Sequence, residues 1–259
     1  MKIAKTQKPS KGKLLAMNKR AKGKKGRFIV IDGIDGAGKA TQTKLLVEAL
    51  RAKGKKVETV DFPRYYNNFF GGMIGQALRG DFGDFLAVHP KIASVLYACD
   101  RLESTKQINE WLAEGYIVIA DRFTSSNQIH QGGKCKTDKE RKEFLQWLDT
   151  MEHEIIGVPR PDMIIYLSLP VAVSQELLKK AKSGIEQKKK DFKKRYLKGA
   201  KDLAEENIEH MEASRKSAYS IIKAKNNWQM IECFDKKKKV LRSIESIHQE
   251  VFSLVKSHI

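Results

Sequence analysis

Arg27-Phe28-Ile29-Val30-Ile31-Asp32-Gly33-Ile34-Asp35-Gly36-Ala37-Gly38-Lys39-Ala40-Thr41 decides the fold of this chain. Its apolar run Phe28–Ile31 predicts a buried strand, Arg27–Asp32. From Gly33 to Lys39 it has the Gly-x-x-x-x-Gly-Lys spacing of a phosphate-binding loop, and Thr43–Leu50 then predicts a helix. Glycines let backbone N–H groups turn toward phosphate oxygens, and the helix N-terminus adds partial positive charge. Gly33, Ile34, Asp35, Gly36, Ala37, Gly38, Lys39, Ala40 and Thr41 are therefore the expected ATP-phosphate contacts, with Lys39 reaching the outer phosphates. Ala40 departs from the pattern, because the residue after the lysine usually supplies a hydroxyl to magnesium. Thr41 follows it, but lies about 100° further round the helix.

Outward from this loop, four more apolar runs read as buried parallel strands: Lys56–Asp61, Tyr116–Asp121, Met163–Leu169 and Trp228–Cys233. Helices over Gln42–Lys53 and Ala93–Glu114 stop at Gly54 and Gly115. Near the C-terminus, Leu241, Ile244, Ile247, Val251, Phe252 and Val255 share the spacing of one helical face. This alternation predicts a three-layer α/β fold: a five-stranded parallel sheet with helices on both faces.

The chain has 259 residues, of which 41% are hydrophobic, enough for one such domain with extensions. No apolar run reaches the length of a membrane span, so no membrane association is expected. Cys99, Cys135 and Cys233 are an odd set without metal spacing and read as reduced core thiols of a cytoplasmic protein. The net charge is +19, and residues 1–27 account for eleven of it, with no acidic residue among them. Residues 1–26 are thus expected to be a basic, disordered tail without a signal-peptide core, with 27–259 forming the domain. Such a tail suits either plain solvation or contact with nucleic acid or another polyanion.

A second basic stretch, about 179–201, includes Lys179, Lys180, Lys182, Lys188–Lys190 and Lys193-Lys194-Arg195. It reads either as a solvated helical face or as a lid over bound phosphates, and its place after a strand of a P-loop sheet favours the lid.

Ligands of open parallel sheets sit at the carboxyl ends of the strands. There the chain offers Asp61-Phe62-Pro63-Arg64-Tyr65 and Asp121-Arg122-Phe123. Arg64 and Arg122 can each fork onto a phosphate. Asp121 suits magnesium, directly or through water, although Asp121 and Arg122 also suit a structural ion pair. Tyr97 and Arg101, four residues apart, share a helix face able to stack a base and reach its edge; a core tyrosine beside a salt bridge is the other reading.

On four stretches the chain resembles the thymidylate kinase family, P-loop enzymes that phosphorylate dTMP. These are Asp32–Lys39; Phe62-Pro63-Arg64-Tyr65; Tyr97 with Asp100-Arg101; and Asp121-Arg122-Phe123 with Ser125-Ser126-Asn127 and His130-Gln131-Gly132. The resemblance runs over about residues 27–255. It implies transfer of the ATP γ-phosphoryl group to dTMP, giving dTDP and ADP for dTTP biosynthesis, with Mg2+ as cofactor and a homodimer as assembly. By position it implies Asp35 at the acceptor sugar, Tyr97 stacked on thymine and Arg101 at the base edge. Arg64 and Arg122 would hold the acceptor phosphate, with Phe62, Ser126, Asn127 and Gln131 lining the pocket. Lys39 would hold ATP and Asp121 would place magnesium. Where some members carry arginine beside the P-loop aspartate this chain has Gly36, so the resemblance assigns the further catalytic cation to the lid, with Lys179, Lys180, Lys182 and Arg195 as candidates. Asp202-Leu203-Ala204-Glu205 and Tyr219 resemble the end of the lid helix. The rivals are a kinase of another nucleotide or of a deoxynucleoside, and a non-catalytic nucleotide-binding protein. Arg64 and Arg122 argue for an already phosphorylated acceptor; Ala40 and the basic tail favour the last rival.

Overall fold

Successive residues of the strand β1 (Arg27–Gly33) face opposite ways and fill two separate cores. Ile29 and Ile31 pack with Leu46 and Leu50 of α1 (Lys39–Ala52) and with Ile247, Val251 and Val255 of α7 (Ile244–Lys256). Phe28 and Val30 pack on the other side with Ile108 of α3 (Pro90–Ala113) and with Ala218 and Ile221 of α6 (Ile208–Ala224). A strand buried on both faces needs a near-continuous apolar run, which is why the run was visible.

The computed structural model describes residues 26–181, 197 and 207–259. With β2 (Val57–Asp61), β3 (Ile117–Asp121), β4 (Met163–Ser168) and β5 (Trp228–Glu232), β1 forms a parallel sheet in the order β2-β3-β1-β4-β5. The order reverses direction at β1, so the loop after β1 opens into the crevice where α/β sheets take ligands. All five expected strands are present, within a residue or so of their expected ends.

Other elements carried weaker signals. They are α2 (Phe69–Arg79), α4 (Asp138–Asp149), α5 (Val171–Ala181) and the start of α6. Two wide-turn segments, Asn127–Gln131 and Thr150–Ile156, and the small hairpin β6 (Phe234–Asp235) with β7 (Val240–Leu241) complete the described fold. Gly26 N–H bonds Leu112 O at 3.1 Å. One expectation needs correction. Leu241 is an exposed residue of β7 and not part of the last helix, because Ser243 caps that helix by accepting from Ser246 N. The tail to Lys25 lies outside the described residues.

Three contacts position the site. The N–H of Arg122 bonds Ile31 O at 3.0 Å and the N–H of Phe62 bonds Asp121 O at 3.0 Å, so the ends of β1, β2 and β3 are locked side by side. Gly133 lets α6 approach the segment after β3; a Cβ there would meet Ala213 C and Ser214 N at 2.9 Å. The Ser174 hydroxyl of α5 donates to Asp35 O at 2.5 Å, fastening the phosphate-binding loop to the helix that opens the lysine-rich segment.

Candidate active site

Gly36 and Gly38 hold φ of 79° and 87°, a left-handed conformation that residues with side chains adopt at a cost, and Lys39 then begins α1. The Lys39 side chain is buried and curls back over its own loop, donating to Ile34 O at 3.0 Å and to Asp35 Oδ1 at 3.4 Å. Ala40 and Thr41 are exposed in the first turn of the helix.

Beside this loop stands Arg122. Its φ is 67°, which costs a residue other than glycine roughly 1–3 kcal/mol. The side chain makes up for it: Nη2 donates to Asp35 Oδ1 at 2.5 Å, and Nη1 lies 3.5 Å from Asp32 Oδ1. Asp32 is fully buried and held by Ser125 Oγ at 2.6 Å, Ser126 Oγ at 2.8 Å and Gly33 N at 2.8 Å. Burial works against the Arg122 charge, but Asp35, Asp32, Asp121 and Tyr65 outweigh it and hold the guanidinium firmly protonated. Burial likewise opposes the Asp35 carboxylate, and Arg122, Lys39 and His130 overcome it, leaving its pKa well below the usual range. Asp121 differs: burial lifts its pKa, against Lys39 and Arg122 and with help from Asp32 and Asp61.

An open cleft runs from Asp35 and Arg122 to Tyr97 and Arg101. Phe62, Ser126, Asn127 and Gln131 also line it. Phe62 precedes a cis-proline and packs on Phe123 at 5.4 Å between ring centres. Gln131 Oε1 is buried without a hydrogen-bond partner. Arg101 is 2% exposed and makes a two-pronged ion pair with Glu152, Nε to Oε2 and Nη2 to Oε1 each at 2.8 Å. Asn127 Nδ2 donates to the same carboxylate at 2.8 Å. Both readings of Arg101 therefore meet in one residue: it is half of a buried salt bridge and it lines the cleft beside Tyr97.

Of the phosphate-binding loop only Asp35 lines this cleft; Asp121 does not, and neither does Arg64. Its Nη1 donates to Ser104 Oγ at 3.1 Å, while its backbone N–H bonds Asp100 Oδ2. Lys179 and Lys180 are exposed in the last turn of α5; Lys182 and Arg195 lie outside the described residues, as does Asp202–Glu205. Tyr219 sits on α6, its hydroxyl 2.9 Å from Ser168 Oγ.

Sequence reasoning gave no role to Asp32, Glu152, His130 or His210, although Asp32 and His130 lie in stretches that carry the resemblance. Asp32 had a signal, its place at the end of β1. Glu152 had none, since 51 residues separate it from Arg101. Among the described residues no group of three or more His, Cys, Asp or Glu can hold a metal ion. Asp121 suits magnesium in kind: it is a hard oxygen donor, and magnesium takes one or two carboxylates and fills the rest with water and phosphate oxygens. No helix among the described residues is long and apolar enough to cross a membrane.

The chain is similar to known proteins. The Thymidylate kinase family model matches residues 31–226. Thymidylate kinase of Mycobacterium tuberculosis is 36% identical over 151 residues, 58% of this chain and 67% of that protein. The human thymidylate kinase is 27% identical over 229 residues, 88% of this chain and 89% of that protein. A solved thymidylate kinase structure from Candida albicans, at 20% identity, shares the fold with a TM-score of 0.63 over 90% of this chain and 92% of that one. The sequence match extends from β1 through α6, across the loop, Arg122 and the cleft, and on it the chain belongs to the thymidylate kinase family.

Proposed function

We infer that this protein is a dTMP kinase, transferring the ATP γ-phosphoryl group to the phosphate of dTMP to give dTDP and ADP. The observation that carries this is the single cleft joining the phosphate-binding loop, through Asp35 and Arg122, to Tyr97 and Arg101. A nucleoside monophosphate laid along it has its phosphate at the cationic end and its base against Tyr97.

In this reading Lys39 and the N–H groups of Gly33–Thr41 hold ATP, and Arg122 holds the acceptor phosphate. An acceptor oxygen forms the new bond to the γ-phosphorus as the bond to the β-phosphate oxygen breaks, with no enzyme-bound intermediate. Two anions must approach each other, so the protein's work is charge compensation and alignment. Asp35 faces the sugar, and Arg101, fixed by Glu152, presents its edge to the base. Gln131 Oε1 and Asn127 complete the polar lining. Arg64 reaches the acceptor phosphate by turning from Ser104. Asp121 would hold magnesium, which supplies neutralisation of the phosphate charge. Lys179, Lys180, Lys182 and Arg195 remain the proposed sources of the lid cation.

The assembly we propose is a homodimer. Ile92, Val95 and Leu102 lie on one face of α3 and are 66%, 40% and 46% exposed, and Phe69 of α2 beside them is 73% exposed. Phe69 N donates to Glu103 at 2.8 Å, which sets Phe69 at the Leu102 end of this face. Apolar residues clustered on two packed helices suit a second copy of the same surface.

Three outcomes are expected. In a competition assay with ATP and magnesium, dTMP is converted ahead of dUMP, dCMP and dGMP; equal conversion of dGMP contradicts the base pocket. In a magnesium titration of the steady-state rate, Asp121→Asn sharply lowers turnover and Ala40→Thr lowers the magnesium needed for half-maximal rate; no change in either places the metal elsewhere. Light scattering on the eluting protein gives a dimer mass for the wild type and a monomer mass for Leu102→Glu; a monomeric wild type removes the dimer.

A further inference from the structure

His130 belongs to none of the roles above, yet its two ring nitrogens are both engaged. Nε2 lies 3.3 Å from Arg122 Nη1, and Nδ1 lies 3.2 Å from Ser214 Oγ of α6. The direction of these bonds follows from the donors available. A guanidinium only donates, so Nε2 must be the accepting nitrogen. Ser214 has one hydroxyl hydrogen, and it goes to His210 O at 2.7 Å. Its oxygen is left to accept, so Nδ1 must carry the ring proton. Both ends independently demand the same neutral tautomer. Burial, with Arg122 and His210, holds the His130 pKa well below its ordinary value against the pull of Asp35. Lys39 adds to the same direction. The His210 ring stacks on His130, 5.5 Å between centres and 19° between planes, and Lys134 lies on the same cleft.

We propose that His130 is a positioning residue for Arg122, the middle of a one-way hydrogen-bond relay from the main chain of α6 at His210, through Ser214 and His130, to the Arg122 guanidinium. The relay rests on the reading of Arg122 as the acceptor-phosphate cation. Asp35 and Asp32 hold that guanidinium, and both draw it toward the phosphate-binding loop. His130 adds an acceptor at Nη1, the nitrogen that also lies near Asp32 Oδ1. The fork is thereby fixed in plane, which matters for a group that binds phosphate through paired, directional hydrogen bonds. Because α6 begins at Ile208, just beyond the lysine-rich segment, the relay also ties the aim of Arg122 to the seating of that helix.

The relay makes a spectroscopic and a kinetic claim. In protein labelled with 15N histidine, with His130→Gln to assign the signals, His130 at neutral pH shows a protonated Nδ1 and a bare Nε2. An Nε2-protonated ring or an imidazolium overturns the relay, whatever the substrate is. In kinetics, His130→Phe keeps the ring and removes both nitrogens, and KM for dTMP rises about tenfold, the worth of one charge-assisted hydrogen bond, while KM for ATP stays near wild type. His130→Gln, whose amide oxygen can accept from Arg122, restores most of the loss, and Ser214→Ala raises KM for dTMP less than His130→Phe. If His130→Phe and His130→Gln behave alike, or KM for dTMP does not move, His130 is packing only. Wild-type conversion of dTMP in the same assay separates failure of the relay from failure of the kinase reading; without it, the tautomer alone decides the relay.

Discussion

A guanidinium clamped between two carboxylates at the edge of a parallel sheet is the contact on which the site depends. Asp32 and Asp35 come from the end of β1 and its loop, and Arg122 from the end of β3, the neighbouring strand in register. Each is costly alone. A buried carboxylate or guanidinium without a partner loses several kcal/mol of solvation. Together, with Ser125, Ser126 and Gly33 N satisfying Asp32, they are compensated. The left-handed backbone of Arg122 persists because the surroundings over-determine it: its N–H is tied to Ile31 O and its side chain to both acids.

From this contact the division of labour follows. The phosphate-binding loop and Arg122 share one electrostatic unit, and in the proposed reaction this sets the acceptor phosphate beside the phosphates of ATP. The other end of the cleft is built from different material. Arg101 is locked by Glu152 and Asn127, and Tyr97 stands against Phe85 at 6.0 Å between ring centres. A rigid polar edge beside an aromatic ring discriminates among bases; a charge cluster discriminates among phosphorylation states. The fold brings both to one cleft because strands and helices that differ widely in sequence position end on the same edge of the sheet.

Much of this was legible beforehand, for physical reasons. Strands buried on both faces must be apolar throughout, so β1 to β5 stood out. Glycine spacing marked the loop because only those positions require left-handed backbone. Strand-end residues such as Arg122 were found by topology alone. What stayed hidden depends on distance in sequence. Nothing near Arg101 announces Glu152, and nothing near Arg122 announces Ser214 of α6, 92 positions along the chain. The orientation of Arg64 was equally hidden, since its carbon stem reaches either Ser104 or the cleft, and here it meets Ser104. Leu241 was assigned to the last helix because the spacing fits, but the cap at Ser243 starts that helix two residues later.

The proposed reaction depends on Arg122 as the group that holds the acceptor phosphate. The direct measurement is kcat/KM for dTMP of Arg122→Ala and Arg122→Lys beside the wild type, with thermal melting to show that each protein is folded. Loss of a charge-assisted, two-pronged contact predicts a fall equivalent to roughly 2–4 kcal/mol for the alanine protein. The lysine protein, which keeps the charge facing Asp32 and Asp35 but lacks the fork, is expected between the two. A folded Arg122→Ala protein that converts dTMP with wild-type efficiency would contradict the account.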